Sequence, residues 1–355
     1  MKNLVVLFAI ATIVIFYSCK EGITNPIEPE AGRRDYIWTV DTLDKSSSFS
    51  VTSLWGVSEN DLWIGGYSGS YSGEELQHFD GHSFERNKLY IPNIMSIWGL
   101  NENKIFAASE FANIYLFDGV SWKEEFKIPF VENINILFTN IFGTAKYNIY
   151  VSGSKIDYKV LKPNQFKIYG FIYKYNGLKW EEIFLSDIKT QHLKIIEYEN
   201  RVFIKRITYK KNETQNQVIS EYKDNKFIDI ISDTTNKYFC NINLINNELL
   251  INKENNIYLY KNGKLNQFIN LNNYAINFNE TRFMGKIWGR SKNDLFFEMA
   301  GGISHYNGTD LQYIQKFSNT FTTPVQGLIF RDVVVFLIED NINLKVYLLR
   351  GKLKE

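Results

Sequence analysis

Cysteine is nearly absent from this 355-residue sequence: Cys19 and Cys240 are the only two, too few for a disulfide-stapled scaffold. An excess of charge of one sign is missing as well, with 40 Lys+Arg against 39 Asp+Glu. A chain without a net basic surface lacks the means to displace nucleic-acid counterions, so no nucleic-acid partner is expected. Histidine is scarce, at four, and neither an HExxH stretch nor a cysteine-pair metal pattern occurs, so the residues name no metal and no cofactor. The Gly-x-Ser-x-Gly elbow and the Walker loop are also missing, and with them the common hydrolase and NTPase signatures. What the chain has in quantity is aromatic residues: 27 Phe, 22 Tyr and 7 Trp, within a hydrophobic fraction of 45%. That supply excludes global disorder, and the length suits two ordinary domains or one large all-β domain.

Met1-Lys2-Asn3 is a short basic start, and Leu4 to Tyr17 is an apolar run of 14 residues broken only by Thr12. The run is short for a bilayer span and fits the apolar region of a secretory signal. It ends at Phe16-Tyr17-Ser18-Cys19, which resembles the bacterial lipobox, although Phe16 stands where Leu is typical and Tyr17 is bulky. Relaxed lipoboxes of this kind resemble those of Bacteroidota-like bacteria. The resemblance implies a signal peptide over residues 1–18, an acylated (palmitate-type) Cys19, and export to the cell envelope, with the outer membrane as the expected anchor. An ordinary cleaved signal and an uncleaved anchor are the alternatives. Residues 19–35 read as a tether, because Lys20 to Arg34 hold two prolines, two glycines and six charged residues without apolar periodicity. Cys240, left without a partner, reads as a buried small hydrophobe.

From residue 36 onward, short runs rich in Ile, Phe, Tyr and Val alternate with Asn, Asp, Gly and Lys clusters, the pattern of strand and turn. One unit recurs. Ser53-Leu54-Trp55-Gly56 returns as Ser96-Ile97-Trp98-Gly99, as Asn140-Ile141-Phe142-Gly143 and as Lys286-Ile287-Trp288-Gly289. A second strand follows each, as in Asp61-Leu62-Trp63. A third runs into Asp-Gly or Asn-Gly at Asp80-Gly81, Asp118-Gly119, Asn176-Gly177 and Asn307-Gly308, pairs suited to type I′ hairpins. A fourth opens on an aromatic such as Trp122 or Trp180. The middle of the second strand falls at Leu62, Ile105, Ile149, Val202, Leu249, Leu295 and Val333, at intervals of 43, 44, 53, 47, 46 and 38 residues. Four strands per unit, seven times over, predict an all-β fold, a β-propeller of seven four-stranded blades over residues 36–355, with six or eight blades as the alternatives because units four, five and seven are degenerate. The last unit has room for three strands, and residues 36–42 supply an orphan fourth with Trp38 in the place of Trp122. The N-terminal strand is therefore expected to close the ring. This pattern resembles the repeats of secreted bacterial propeller lipoproteins. It is also kelch-like, with Gly65-Gly66 and Gly301-Gly302 near the ends of two second strands. The resemblance concerns architecture, since propellers host enzymes, receptors and scaffolds alike.

The residues with chemistry mostly follow the repeat. His78 and His305 share one slot of the third strand and read as blade packing; Asp61, Asp294 and Asp332 share another and read as turn residues. His82 falls in a turn and His192 in a loop between blades. Departures from the repeat are more informative. Long second-to-third connections at 66–75, 152–171 and 206–217 project on the face that also carries the blade-to-blade links, and grafted loops are where binding usually lives. They present Tyr67, Tyr71, Tyr158, Phe166, Tyr169 and Tyr209 as candidate binding residues, bordered by Lys155, Lys159, Lys162, Lys210 and Lys211. Aromatic surfaces with polar donors suit peptides or sugars. The leading expectation is a lipid-anchored, monomeric, non-enzymatic binding module for a protein or glycan partner. A polysaccharide hydrolase or lyase, its acids gathered at the channel mouth from different blades, is the competing one. A structural part of an envelope complex, marked by a broad apolar patch, is the third.

Overall fold

The computed structural model describes residues 29–69, 74–87, 89, 91–158, 167–186, 189–209, 215–233, 240–274, 282–317 and 322–355. The signal-like run, Cys19, Tyr71, Phe166, Lys159, Lys162, Lys210 and Lys211 lie outside the described residues. The propeller occupies the unit Ala31–Glu355.

β1 (Tyr36–Asp44) precedes the first complete blade. Blade one is β2 (Phe49–Ser58), β3 (Asp61–Ser68), β4 (Leu76–Phe79) and β5 (Phe84–Arg86). Blade two is β6 (Ile94–Asn101), β7 (Lys104–Ser109), β8 (Asn113–Phe117) and β9 (Trp122–Lys127). Blade three follows with β10 (Ile134–Ala145), β11 (Asn148–Asp157), β12 (Lys167–Tyr175) and β13 (Trp180–Leu185). Blade four holds β14 (Thr190–Tyr198), β15 (Arg201–Tyr209), β16 (Gln215–Lys223) and β17 (Lys226–Asp233). Blade five contains β18 (Cys240–Ile245), β19 (Glu248–Lys253), β20 (Asn256–Lys261) and β21 (Lys264–Asn270). Blade six has β22 (Phe283–Ser291), β23 (Asp294–Met299), β24 (Gly302–Tyr306) and β25 (Leu311–Lys316). Blade seven is β26 (Thr322–Ile329), β27 (Val333–Asp340) and β28 (Lys345–Leu353), with β1 paired antiparallel along β28 from Tyr36–Leu353 to Asp44–Lys345. The architecture is the seven-bladed propeller expected from the repeats, with the expected closure.

Each blade is covered on both faces by its neighbours, which explains the unbroken apolar runs. All eight residues of β27 are buried, for example. The Trp-Gly pair has a specific packing role between blades. Trp55 of blade one lies over Gly99 of blade two, where a Cβ would stand 2.3 Å from the indole, and Trp98 lies over Gly143 of blade three, at 2.7 Å. In blades two and three a glycine thus accepts the tryptophan of the blade before it. Gly99→Ala should lower stability by roughly 1–3 kcal/mol through overpacking. Urea titration checks this, with Gly69→Ala, where a Cβ meets nothing within 4 Å, expected to be neutral.

The Asp-Gly and Asn-Gly turns differ from the type I′ expectation. At 80–83, 118–121, 176–179 and 307–310 only the glycine has positive φ, and the Asp or Asn carboxyl or amide oxygen accepts two backbone N–H groups, as Asp80 does from His82 and Ser83. The side chain closes a wider turn and the second positive-φ residue becomes unnecessary. The paired positive φ of type I′ occurs instead in the degenerate units, at Asp224-Asn225 and Asn262-Gly263.

A further expectation needs correction. The insertions at 152–171 and 206–217 are mostly strand. β11 and β12 stay paired out to Asp157–Lys167, and β15 and β16 out to Tyr209–Gln215, so the connections shrink to 158–166 and 210–214. Continuing the ladder satisfies backbone groups that a long loop would leave to solvent. The two glycine pairs do stand near the ends of second strands, Gly65-Gly66 within β3 and Gly301 in the turn after β23, where it takes φ +81°.

The ring is locked where its ends meet. His305 of β24 is fully buried, and its Nε2 stands 2.6 Å from Asp294 Oδ1. Arg34 Nε donates to His305 Nδ1 at 3.1 Å, which assigns the proton of the neutral ring to Nε2. Arg290 Nη1 donates to the other Asp294 oxygen at 2.9 Å and to the Tyr36 hydroxyl at 3.0 Å, while its Nε donates to the Phe330 carbonyl. One buried network therefore joins blade six, blade seven and the closing strand. It also places the end of the segment read as a tether through residue 35: Arg33 donates to the Lys354 carbonyl and Arg34 pairs with Asp310 at 2.6 Å. The chain is docked on the propeller from Arg33 onward.

Candidate functional site

The seven innermost strands wall a central channel of about 590 Å³. A polar ladder runs around part of this wall. Ser53 Oγ of blade one accepts the Ile97 N–H of blade two, Ser96 Oγ accepts the Ile141 N–H of blade three, and Asn140 Oδ1 accepts the Ile195 N–H of blade four. Each link uses one slot of the repeat, the residue before the inward-packing Leu54, Ile97, Ile141 or Ile195. A short side chain with an acceptor oxygen satisfies the neighbouring blade's backbone there.

Blade four breaks the pattern, because the slot holds Lys194, which donates and cannot accept. Its ammonium reaches Asn243 Oδ1 at 3.3 Å, and the Ile242 N–H turns instead to Asn241 Oδ1 at 3.0 Å. Blade six has Lys286 in this slot, hydrogen-bonded to the Pro324 carbonyl at 3.2 Å and 3.6 Å from Glu298. Lys205 is the direct cross-strand partner of Lys194. Although part of the Lys194 residue is accessible from the lumen, burial of the ammonium, helped by the charges of Lys205 and Lys286, lowers it to about 7. Burial lowers Lys205 too, and Lys286 adds to that. Burial raises the Glu298 carboxyl, opposed by Lys286 and Lys205. Among the described residues the channel lining holds two lysines and no carboxylate. The paired acids required by the glycoside-hydrolase expectation are therefore not assembled on this described wall.

The loop-bearing face gathers the ends where second strands turn into third strands and where one blade passes to the next. The extended β11–β12 and β15–β16 hairpins project there. Tyr67 and Tyr158 are exposed, at 44% and 55%. Tyr158 is held through its backbone N–H on the Asn133 carbonyl. Tyr169 pairs with Lys155 in the hairpin register, and Lys155 is committed to Glu182 at 2.7 Å. Tyr209 is half-buried and donates to Gln191 Oε1 at 3.0 Å, its phenol raised by burial. These four candidates belong to blades one, three and four, and none of them lines the channel. The lysines that do line it were absent from the sequence-derived candidates. A signal existed: Lys286 stands where Ser53, Ser96 and Asn140 stand in sister units, a donor replacing acceptors.

The histidines also sharpen the reading. His78 and Asp61 of blade one repeat the buried pair of blade six, with Nε2 2.7 Å from Oδ1 and the imidazole 4.5 Å from the Trp63 ring. Asp61 and Asp294 are thus hydrogen-bond partners of the packing histidines rather than turn residues alone. Their co-occurrence was visible, since these two units alone have both Asp and His in those slots. His192 lies in β14, not in a loop. It is fully buried against Phe184 and Phe227, bonded through Nδ1 to the Phe171 carbonyl, and pushed down to about 3, by burial above all. Cys240 is buried, and burial pushes its thiol up to about 11, a poor nucleophile.

No protein-family model matches the chain, and no curated protein matches it. Solved structures do. YCF48 bound to a D1 peptide aligns over 93% of this chain and 100% of its own, with a TM-score of 0.57 at 12% identity. YCF48 from Cyanidioschyzon merolae aligns over 89% and 98%, with a TM-score of 0.53 at 9% identity. The extracellular domain of the putative one component system BT4673 from B. thetaiotaomicron aligns over 90% of this chain and 40% of its own, with a TM-score of 0.55 at 13% identity. At such identities the shared property is the propeller fold.

Proposed function

We propose that this chain is an exported, lipid-anchored protein of the cell envelope, whose propeller is a binding module that holds a protein partner on its loop-bearing face. One observation carries the reading. Arg33 and Arg34 dock beside the 307–310 turn and Lys354, at the face opposite the extended β11–β12 and β15–β16 hairpins. A tether reaching the propeller at Arg33 therefore joins it on the face that does not carry the hairpins and the exposed Tyr67 and Tyr158. The fold is one on which peptide capture occurs, since YCF48 is known bound to a D1 peptide. Rigid strands carrying exposed aromatics provide contact area at low entropic cost. A protein partner is favoured over a glycan by this likeness.

A photo-crosslinking residue placed at Tyr158 or Tyr67 in the native envelope tests the reading. A discrete protein adduct is expected at both positions, and none at Leu178, an exposed position on the opposite face. Equal adducts from Leu178, or none from the tyrosine positions, would refute it. In the same cells Cys19→Ala should shift the protein to the soluble fraction; a variant that stays membrane-bound and normally processed removes the anchor from the proposal.

A further inference from the structure

The channel wall of blades four to six bears a charge arrangement found nowhere else in the ladder. Ser53, Ser96 and Asn140 keep their slot neutral and hydrogen-bonded to the next blade. Lys194 and Lys286 interrupt that ladder with groups that only donate. Lys205 stands across the strand pair from Lys194, behind the two lysines that line the channel, and its charge and that of Lys286 both act on Lys194. Among the described residues one carboxylate pairs with them: Glu298, itself buried, 3.6 Å from Lys286 and on the far side of blade five from Lys194. Between them, blade five contributes Asn241 and Asn243, amides that donate or accept.

Lysines placed purely for structure would each have a carboxylate partner or reach open solvent. Lys194 has an amide oxygen at 3.3 Å and two like charges. We propose that this wall is a binding site for a small oxyanion with two negative charges, of the sulfate or phosphate class, held inside the central channel between Lys194 and Lys286, with Lys205 adding its charge from across the β14–β15 pair. Three ammoniums against one carboxylate leave an excess that a dianion matches. The channel volume of about 590 Å³ admits such an ion together with its remaining hydration. The site goes beyond the loop-face reading and does not depend on it.

The charge state of Lys194 supplies a distinctive readout. The charged groups acting on it are Lys205 on β15 and Lys286 on β22; Lys205 in turn feels Lys286, Glu298 on β23 and Cys240 of β18, and Cys240 feels Asp233 of β17. A bound dianion offsets the two like charges, so an ammonium that is partly neutral near pH 7 takes up a proton on binding. Affinity should therefore fall as pH rises from 6.5 to 8.5.

Isothermal titration with sodium sulfate at constant ionic strength tests this, because sulfate keeps its charge throughout that range. A single saturable site with proton uptake at pH 7.5 is expected, competed by inorganic phosphate. Lys194→Met and Lys286→Met should each weaken it roughly ten- to a hundredfold. Glu298→Gln should tighten it, and Lys264→Met, on the exposed outer strand of blade five, should leave it unchanged. The inference is overturned if no saturable sulfate binding occurs, if binding survives in the Lys194→Met/Lys286→Met double variant, or if wild-type binding takes up no proton. The last measurement decides the matter even if the variants fail to fold.

Discussion

Asp294→Ala should destabilise the propeller by about 3–5 kcal/mol, the cost of stranding a buried charge whose partner has been removed. The Arg290 side chain is 15% exposed and the Asp294 side chain 3%. Burial by itself works against ionisation of Asp294, yet the His305 hydrogen bond and the Arg290 charge outweigh it and hold the carboxyl below the usual range. Take the carboxylate away and Arg290 keeps only neutral acceptors, among them the Tyr36 hydroxyl and the Phe330 carbonyl. His305 loses the acceptor for its Nε2 proton at the same time. Because the network joins blade six to the closing strand, the damage should fall on ring closure: protease cleavage near β1 should accelerate ahead of global unfolding. Tyr36→Phe removes one hydrogen bond from the same arginine to a neutral acceptor, leaves Asp294 in place, and should cost about 1–2 kcal/mol. Urea titration of the three proteins checks the order. A loss below ~1 kcal/mol for Asp294→Ala would show that the pair does not hold the closure.

Acid should weaken the fold through His192. The folded ring resists protonation down to about pH 3, whereas in the unfolded chain it titrates near its ordinary 6.5. Across that window the unfolded state binds the extra proton, so stability is fully present above pH 6.5 and is lost as pH falls toward 3. The slope approaches 1.4 kcal/mol per pH unit, or up to about 3 kcal/mol by pH 4. The causes lie in the packing: the imidazole is fully buried against Phe184 and Phe227, its Nδ1 proton goes to the Phe171 carbonyl, and Gly170 of blade three stands against its edge. His192→Leu should be less stable than wild type at pH 7.5, having lost the hydrogen bond, yet should lose less on acidification, so the two curves converge below pH 5. Parallel loss of stability in the two proteins between pH 6.5 and 4 would place the acid sensitivity elsewhere.

The candidate site was less legible than the fold. Tyr67 and Tyr158 are exposed as expected of binding-loop residues, but Tyr169 and Tyr209 proved to be strand residues, because they continue ladders whose pairing partners lie six and fourteen residues away, at Gln215 for Tyr209 and Lys155 for Tyr169. Composition alone does not separate a Lys- and Asn-rich loop from the tip of a long hairpin. His192 was misplaced for a related reason: a polar residue before an apolar run reads as a loop, and only the aromatic cage from two neighbouring blades allows it to be buried. The three lysines escaped attention because lysine is ordinarily a solvated residue. Their unusual environment comes from blades four and six meeting across the channel, and Lys194 and Lys286 are more than ninety residues apart in the chain.

What the sequence determined by itself was whatever repeats. The Trp-Gly pair, the turn residues and the spacing of second strands recur because every blade solves the same local problem of twist, turn and two-sided burial. Seven copies therefore announced seven blades, and an orphan strand at one end announced how they close. Only the tertiary structure decided what happens at the departures from the repeat. Ring closure places distant units side by side, so the pairing of Arg34 with His305, the interrupted ladder at Lys194 and Lys286, and the opposition between the docked N-terminal segment and the extended hairpins follow from geometry between blades. Energies of burial and charge depend on which groups converge in space, and a linear spacing holds that information only where one unit stands for all the others.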